Sequence, residues 1–256
     1  EFIGDAILVV FGAPVRRDGD AERAVACAVA MQLAMATVNK KNRELGLADV
    51  EMGIGLHTGV VVAGNIGSKK RAKYGVVGPT VNLTGRIESF TVGGQILISE
   101  ETRAAVATPL RLDGQLAVDA KGVGRQITLY DVGGIAGAHQ LELPRKDAAL
   151  RTLPQPVPVL FSLVEGKRSV MSSVHMAGAL VRMTPDLSEA EVASEVDLGA
   201  LTDLKLELGA GAPVQPFYGK ILARYPEGPS GFVLRFTSVP DEVATWLRAQ
   251  PGLQGS

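Results

Sequence analysis

Apolar runs change their pattern midway along the chain, and that change limits the fold more than any single motif does. Up to about residue 132, short apolar runs alternate with helical stretches. Ile7-Leu8-Val9-Val10-Phe11 reads as a strand closed by the Gly12-Ala13-Pro14 break. Asp18 or Asp20 then caps an Ala-rich helix that runs to about Leu45 and stops at Gly46. Residues 50–55 and 60–63 read as strands on either side of His57-Thr58-Gly59, with Gly64-Asn65-Ile66-Gly67 as a turn. A strand near Tyr74, a helix after Pro79, a strand over 95–99, a helix opened by Ser99 and a strand over 127–132 complete this half. Such alternation implies an α/β fold, a sheet with helices packed on it.

Gly133-Gly134-Ile135-Ala136-Gly137-Ala138 has the composition of a linker. Beyond it strands dominate, over 157–163, 179–183, 204–208, 217–224 and 232–237, and only 241–250 looks helical. Many strands with Gly/Pro turns imply a small all-β barrel. The expected organisation is a first domain over 1–134, a linker over 135–153 and a barrel over 154–256. With 256 residues, 46% of them hydrophobic, the chain can build two cores.

Twenty-six basic against 27 acidic residues leave a net charge of -1, which argues against a nucleic-acid partner. The single Cys27 rules out an internal disulfide and suits a reducing, cytoplasmic compartment. The apolar run over 24–38 is interrupted by Gln32 and is shorter than the roughly 20 residues a membrane span needs. The chain starts with Glu1 inside a strand and without Met, so we read it as a fragment. That reading is compatible with the cytoplasmic part of a larger, membrane-anchored protein.

Chemistry concentrates in Thr80-Val81-Asn82-Leu83-Thr84-Gly85-Arg86-Ile87-Glu88-Ser89. Asn82 and Arg86 lie four residues apart and so share a helix face, where an amide and a guanidinium suit a polyphosphate nucleotide. Tyr74-Gly75-Val76-Val77-Gly78-Pro79 precedes them as a strand and a tight turn. Together with Glu1-Phe2-Ile3-Gly4-Asp5, this segment resembles the catalytic domain of class III nucleotide cyclases, the adenylate and guanylate cyclases, with a ferredoxin-like α+β sheet.

The resemblance assigns roles residue by residue. Asn82 orients the ribose and Arg86 stabilises charge on the α-phosphate; both are catalytic. Asp5 is one of two carboxylates that hold a pair of Mg²⁺ or Mn²⁺ ions. The other belongs to an earlier strand, so the fragment by itself is expected to bind metal poorly and to be inactive. Lys121, in Ala120-Lys121-Gly122-Val123-Gly124, matches a lysine that holds the triphosphate. Metal ligands and the Asn/Arg pair come from different subunits in this family, which implies a homodimer with composite active sites.

Base choice falls on Glu1 and Gly75. Adenylate cyclases of the family usually place Lys at the first position and Asp or Thr at the second. A carboxylate at Glu1 accepts from guanine N1–H and N2, and Gly75 leaves room beside O6. GTP is therefore the favoured substrate, with ATP as the alternative. His57 reads as part of a structural turn, and His139 and His175 carry no assigned chemistry.

The second half resembles a PilZ domain, a barrel that binds cyclic di-GMP in many bacterial proteins. The similarity rests on the basic Pro144-Arg145-Lys146 lead-in, on Val157-Pro158-Val159-Leu160-Phe161, and on Gly231-Phe232-Val233-Leu234-Arg235-Phe236-Thr237 before a last helix. Its ligand motifs are degenerate. Arg145 lies four before Ala149, not before a second arginine, and Ser173-Val174-His175-Met176-Ala177-Gly178 keeps only the glycine of the second motif. Each missing charged group removes roughly 1.5–3 kcal/mol of charge-assisted bonding. Expected partners are therefore a nucleotide, a second copy of the chain and, at the barrel, cyclic di-GMP or a protein. A cyclase-like module without turnover, coupled to such a barrel, is the rival reading.

Overall fold

The computed structural model describes residues 1–68, 70–119, 126–145, 150–163, 175–184, 187–192, 203–224 and 231–251. They fall into two compact units, Glu1–Arg145 and Lys146–Ser256.

The first unit runs β1 (Phe2–Ile3), β2 (Ala6–Ile7), α1 (Asp20–Glu44), β3 (Ile54–Leu56), β4 (Val62–Ser68), β5 (Arg71–Val77), α2 (Pro79–Ser89), β6 (Ile96–Ser99), α3 (Glu100–Ala105), β7 (Leu110–Asp119), β8 (Gln126–Ile135) and β9 (Leu141–Glu142). Its central sheet has the order β3-β6-β8-β7, with β9 added on β8. β3 and β6 are parallel, joined through α2, and the remaining pairs are antiparallel. Such a parallel pair needs a crossover, and α2 is placed by it. Two hairpins, β1–β2 and β4–β5, stand outside this sheet.

α1 covers the sheet with Val25, Ala28 and Val29 against Ile96, Ile98, Val132 and Ile135. By length and composition it is long and apolar enough to cross a membrane, a longer stretch than the 24–38 run. Only 22% of that apolar window is buried in the protein, on the one face that carries Val25 and Val29. Its start differs from expectation. Gly19 caps the helix in a left-handed conformation without a side-chain bond, while the Asp20 carboxylate accepts from the Arg17 N–H and pairs with Arg23. Its end follows expectation: Gly46 has φ 70°, its N–H donates to Arg43 O, and the Leu47 N–H donates to Asn42 O. Those two bonds satisfy carbonyls that the last turn leaves open.

Two glycine runs behave differently from the turn and linker they suggest. Gly64 to Gly67 belong to β4, where Gly64 pairs with Gly75 and Asn65 with Tyr74. Gly133 and Gly134 are buried in β8. A Cβ on Gly133 would sit 2.4 Å from the Arg111 guanidinium, and one on Gly134 would sit 2.8 Å from Leu141 O. Small residues are there to admit β9 and Arg111, which bonds Asp113, Glu142 and Leu143 O. The unit boundary therefore falls near residue 145 rather than 134, and part of the expected linker over 135–153 belongs to the sheet.

The second unit comprises β10 (Arg151–Leu163), β11 (His175–Met183), β12 (Leu187–Val192), β13 (Asp203–Leu208), β14 (Phe217–Arg224), β15 (Gly231–Ser238) and α4 (Asp241–Arg248). They close an antiparallel barrel in the order β10-β11-β12-β15-β14-β13. Inward residues alternate along each strand, as in Phe232, Leu234 and Phe236. Two edge-to-face pairs, Phe161–Phe232 and Phe217–Phe236, lie with centroids 5.4 and 5.5 Å apart. Val243 and Leu247 of α4 join that core. Gly178 lets β12 approach, because a Cβ there would lie 2.3 Å from Glu191 O and 2.8 Å from the Phe161 ring. Packing thus accounts for the one glycine retained in the degenerate motif; Ser173 and Val174 fall outside the described residues.

Candidate active site

α2 begins where Gly78 and Pro79 stop β5. Proline at the first helical position lacks the N–H that would go unpaired there, and Gly78 O accepts from the Val81 and Asn82 N–H groups. The Thr80 hydroxyl donates to Val60 O at 2.7 Å, and the Thr84 hydroxyl donates to Thr80 O at 3.0 Å. Ile87 turns inward and is fully buried. β3 passes directly beneath, for a Cβ on Gly55 would sit 2.3 Å from the Glu88 backbone nitrogen. We expect Gly55→Ala to lower stability by about 1–3 kcal/mol through overpacking, read as a fall in thermal midpoint.

This anchoring leaves Asn82 exposed and Arg86 half-buried on the outward face, one turn apart. Among the described residues, neither side chain makes a hydrogen bond or an ion pair. The guanidinium keeps its five donors for a ligand, and the amide beside it offers both a donor and an acceptor.

The other expected residues gather on the hairpins. Asp5 occupies the Gly4-Asp5 link between β1 and β2 and is exposed. Glu1 is held by the Leu8 N–H, which donates to its carbonyl at 2.8 Å, and its carboxylate pairs with Lys73. The hydrogen bond from Lys73 keeps that carboxyl below the usual range. Lys73 and Gly75 share a face of β5, being two residues apart, so Glu1 and Gly75 approach one surface. Lys73 was absent from the sequence reading. Its partner Glu1 lies 72 positions away, so no local pattern marks it. No hydrogen bond or ion pair among the described residues joins Glu1 or Asp5 to Asn82 or Arg86. Lys121 lies outside the described residues.

A magnesium or manganese ion takes oxygen ligands, and Asp5 can supply one. Among the described residues no three His, Cys, Asp or Glu side chains converge. Asp5 therefore offers a single exposed carboxylate, which fits a metal site only as one ligand among several.

His57 is built into the scaffold. Its Nδ1 lies 2.8 Å from the Ser99 hydroxyl, which caps α3 by accepting from the Thr102 N–H, and 3.8 Å from a Glu101 carboxylate oxygen. Burial pushes its pKa below the usual 6.5, against the opposing pull of Glu101. An unfolded histidine titrates near 6.5. Above that pH both states are neutral and stability is complete. As pH falls through about 6.5, the unfolded chain takes up the proton first and stability is lost. Thermal midpoints measured from pH 8 to 5 should decline below about 6.5, and His57→Asn should flatten that decline.

Residues 1–131, just over half of the chain, match the family described as the adenylate and guanylate cyclase catalytic domain. Adenylate cyclase 1 of Rhizobium meliloti is 31% identical over 140 residues, 54% of this chain and 21% of that protein. Guanylate cyclase 2G of Rattus norvegicus is 33% identical over 135 residues, 52% of this chain and 12% of that protein. The chain thus spans about a fifth or less of these two relatives. The solved structure of the guanylyl cyclase Cya2 is 53% identical and superposes with a TM-score of 0.55, covering 56% of this chain and 73% of that one. Through residues 1–131, this chain belongs to the adenylate and guanylate cyclase catalytic domain family.

Proposed function

We propose that the first unit is the catalytic part of an enzyme that converts a purine nucleoside triphosphate, GTP by preference, into its 3′,5′-cyclic nucleotide and pyrophosphate. The observation that carries this reading is the outward face of α2, where Asn82 and Arg86 stand one turn apart with no hydrogen-bond or ion-pair partner among the described residues. In the reaction the ribose 3′ oxygen attacks the α-phosphorus, its proton passes to solvent water, and the bond to the pyrophosphate oxygen breaks. Arg86 donates to the α-phosphate oxygens as their charge redistributes, and Asn82 fixes the ribose so that the attacking oxygen lies in line. Asp5 would contribute a carboxylate to a divalent-ion site, and an ion held there would supply charge neutralisation to the triphosphate. Glu1 accepts from guanine N1–H and N2 while Lys73 holds its carboxylate in place. The high identity to a guanylyl cyclase supports the guanine reading. Adenylate cyclisation is the alternative.

A dimer with composite sites is part of the proposal. Large apolar side chains remain exposed on both detached hairpins and the segment leading into β4, with Phe2 80%, Val60 89% and Val62 67% exposed. An unburied apolar group of that kind suits a partner copy. The barrel is proposed as a PilZ-like interaction module, for cyclic di-GMP or a protein, and the whole as cytoplasmic.

Complementation tests the arrangement. Protein expressed from the complete reading frame should form cyclic GMP from GTP with Mn²⁺, whereas Asp5→Asn and Arg86→Ala variants should be nearly inactive alone. Random mixing of the two yields heterodimers in half the population, each with one intact site of two, so about a quarter of wild-type activity should return. Absence of cyclic nucleotide from both GTP and ATP in the unmutated protein would favour the rival, a cyclase-like module without turnover.

A further inference from the structure

Residues 57–60 are gripped from two directions. On one side α3 holds them: His57 Nδ1 lies 2.8 Å from the Ser99 hydroxyl, and the Thr58 and Thr102 hydroxyls lie 3.0 Å apart. The Thr102 hydroxyl is also 3.4 Å from that of Ser99, which caps the helix. Thr102 and Ser99 are buried, at 1% and 3% exposure, and His57 is half-buried, so the α3 side of this network is shielded from competing water while Thr58 reaches it from the exposed side. On the other side the segment holds α2. Val60 O accepts the Thr80 hydroxyl at 2.7 Å, and a Cβ on Gly59 would lie 2.8 Å from that same hydroxyl oxygen. The strand leading into the segment, β3, touches the far end of α2 through Gly55 and Glu88.

We infer that the 57–60 segment is a bracket, braced by the Ser99–Thr102 cap, that sets the position of α2 and hence of Asn82 and Arg86. Thr102 and Thr58 are positioning residues in this scheme: they touch no substrate and act through Thr80, two residues before Asn82. Their effect is on the alignment of the outward helix face. Misplacing a reacting group by about 1 Å costs up to roughly a hundredfold in rate. Substrate affinity, which draws on the base and phosphate contacts elsewhere, changes far less. The inference rests on the cyclase reading for its rate consequence and on geometry alone for its effect on α2.

Thr102→Val keeps the shape of the side chain and removes its hydroxyl; Thr102→Ser keeps the hydroxyl. In protein from the complete reading frame, Thr102→Val should lower kcat for GTP cyclisation by about ten- to a hundredfold with KM changed less than about threefold. Thr102→Ser should restore most of it. Amide exchange across residues 79–89 should be faster in Thr102→Val than in wild type or Thr102→Ser, which reads the bracket without any turnover. Equal kcat per folded molecule in the valine variant, or unchanged exchange in α2, overturns the bracket. Should the wild type make no cyclic nucleotide, the cyclase reading fails by itself, and the exchange comparison still decides the bracket. If Thr102→Val does not fold, Thr80→Val against Thr80→Ser carries the same comparison at the other grip.

Discussion

Arg86→Ala is expected to lower kcat for cyclic nucleotide formation by roughly two to three orders of magnitude while leaving the fold intact. The rate loss follows from the charge that develops on the α-phosphate in the transition state, because one preorganised donor in such a site is worth about 10²–10³ in rate. The intact fold follows from what Arg86 does not touch. Among the described residues its guanidinium has no hydrogen-bond or ion-pair partner, so truncation orphans no other polar group. Ile87, its inward neighbour on α2, keeps the helix seated. Stability should therefore change by no more than about 1 kcal/mol, the scale of a half-buried arginine stem in the last turn of a helix. Arg86→Lys retains a charge but loses the planar fork, and should fall between wild type and Ala. Asn82→Ala should cost less than Arg86→Ala, since it affects alignment rather than charge. If the two side chains act on one nucleotide as proposed, the double variant should lose less than the product of the single losses. Steady-state kinetics with circular dichroism on the same samples checks all four expectations. A variant that loses activity only in proportion to lost helix content would contradict the assigned role.

Legibility in the sequence varied with the kind of interaction involved. α2 could be read almost to the residue, because Pro79 fixes its start and the i, i+4 spacing of Asn82 and Arg86 is a local property. α3 was equally plain from Ser99, whose hydroxyl caps it. Glycine was read poorly. Gly64, Gly67, Gly133 and Gly134 were read as turn and linker, yet they lie within strands. Gly133 and Gly134 are small because of Arg111 and the Leu141 carbonyl, which come from other strands; Gly67, at φ 134°, meets the Arg71 carbonyl within its own hairpin, and Gly64 has open space beside it. β7 and β12 were missed for a related cause. β7 contains Gly114 and the charged Arg111 and Asp113, and β12 reads Leu-Ser-Glu-Ala-Glu-Val, so neither shows a sustained apolar signal. Ladder pairing with β8 and β15 makes strands of them. Of the site, the Asn82/Arg86 face and the Gly4-Asp5 turn were visible in the residues. Lys73 was not, because its importance comes from meeting Glu1 across 72 positions of chain.

That meeting shapes how base preference should respond to substitution. With Glu1→Lys and Gly75→Asp together, preference should move from GTP towards ATP by about two orders of magnitude in the ratio of kcat/KM values. A site that hydrogen-bonds its substrate leaves buried groups unpaired when the wrong base enters, and this penalty sets the scale. Glu1→Lys alone should do worse than remove guanine recognition. It would put two ammonium groups where the Glu1–Lys73 pair now stands, and their repulsion should turn the new lysine away from the base. Gly75→Asp repairs this, since residue 75 shares the β5 face with Lys73 and a carboxylate there can accept from Lys73 and from the adenine N6 amine. The order of effects is therefore distinctive: Glu1→Lys should be poor with both nucleotides, Gly75→Asp should lose GTP activity with little gain for ATP, and only the pair should select ATP. Lys73→Ala in the otherwise native chain should lower GTP turnover severalfold by releasing the Glu1 carboxylate, without creating activity towards ATP. Parallel kcat/KM measurements with the two nucleotides decide the matter. An unchanged GTP-to-ATP ratio in the paired variant would mean that Glu1 and Gly75 do not read the base.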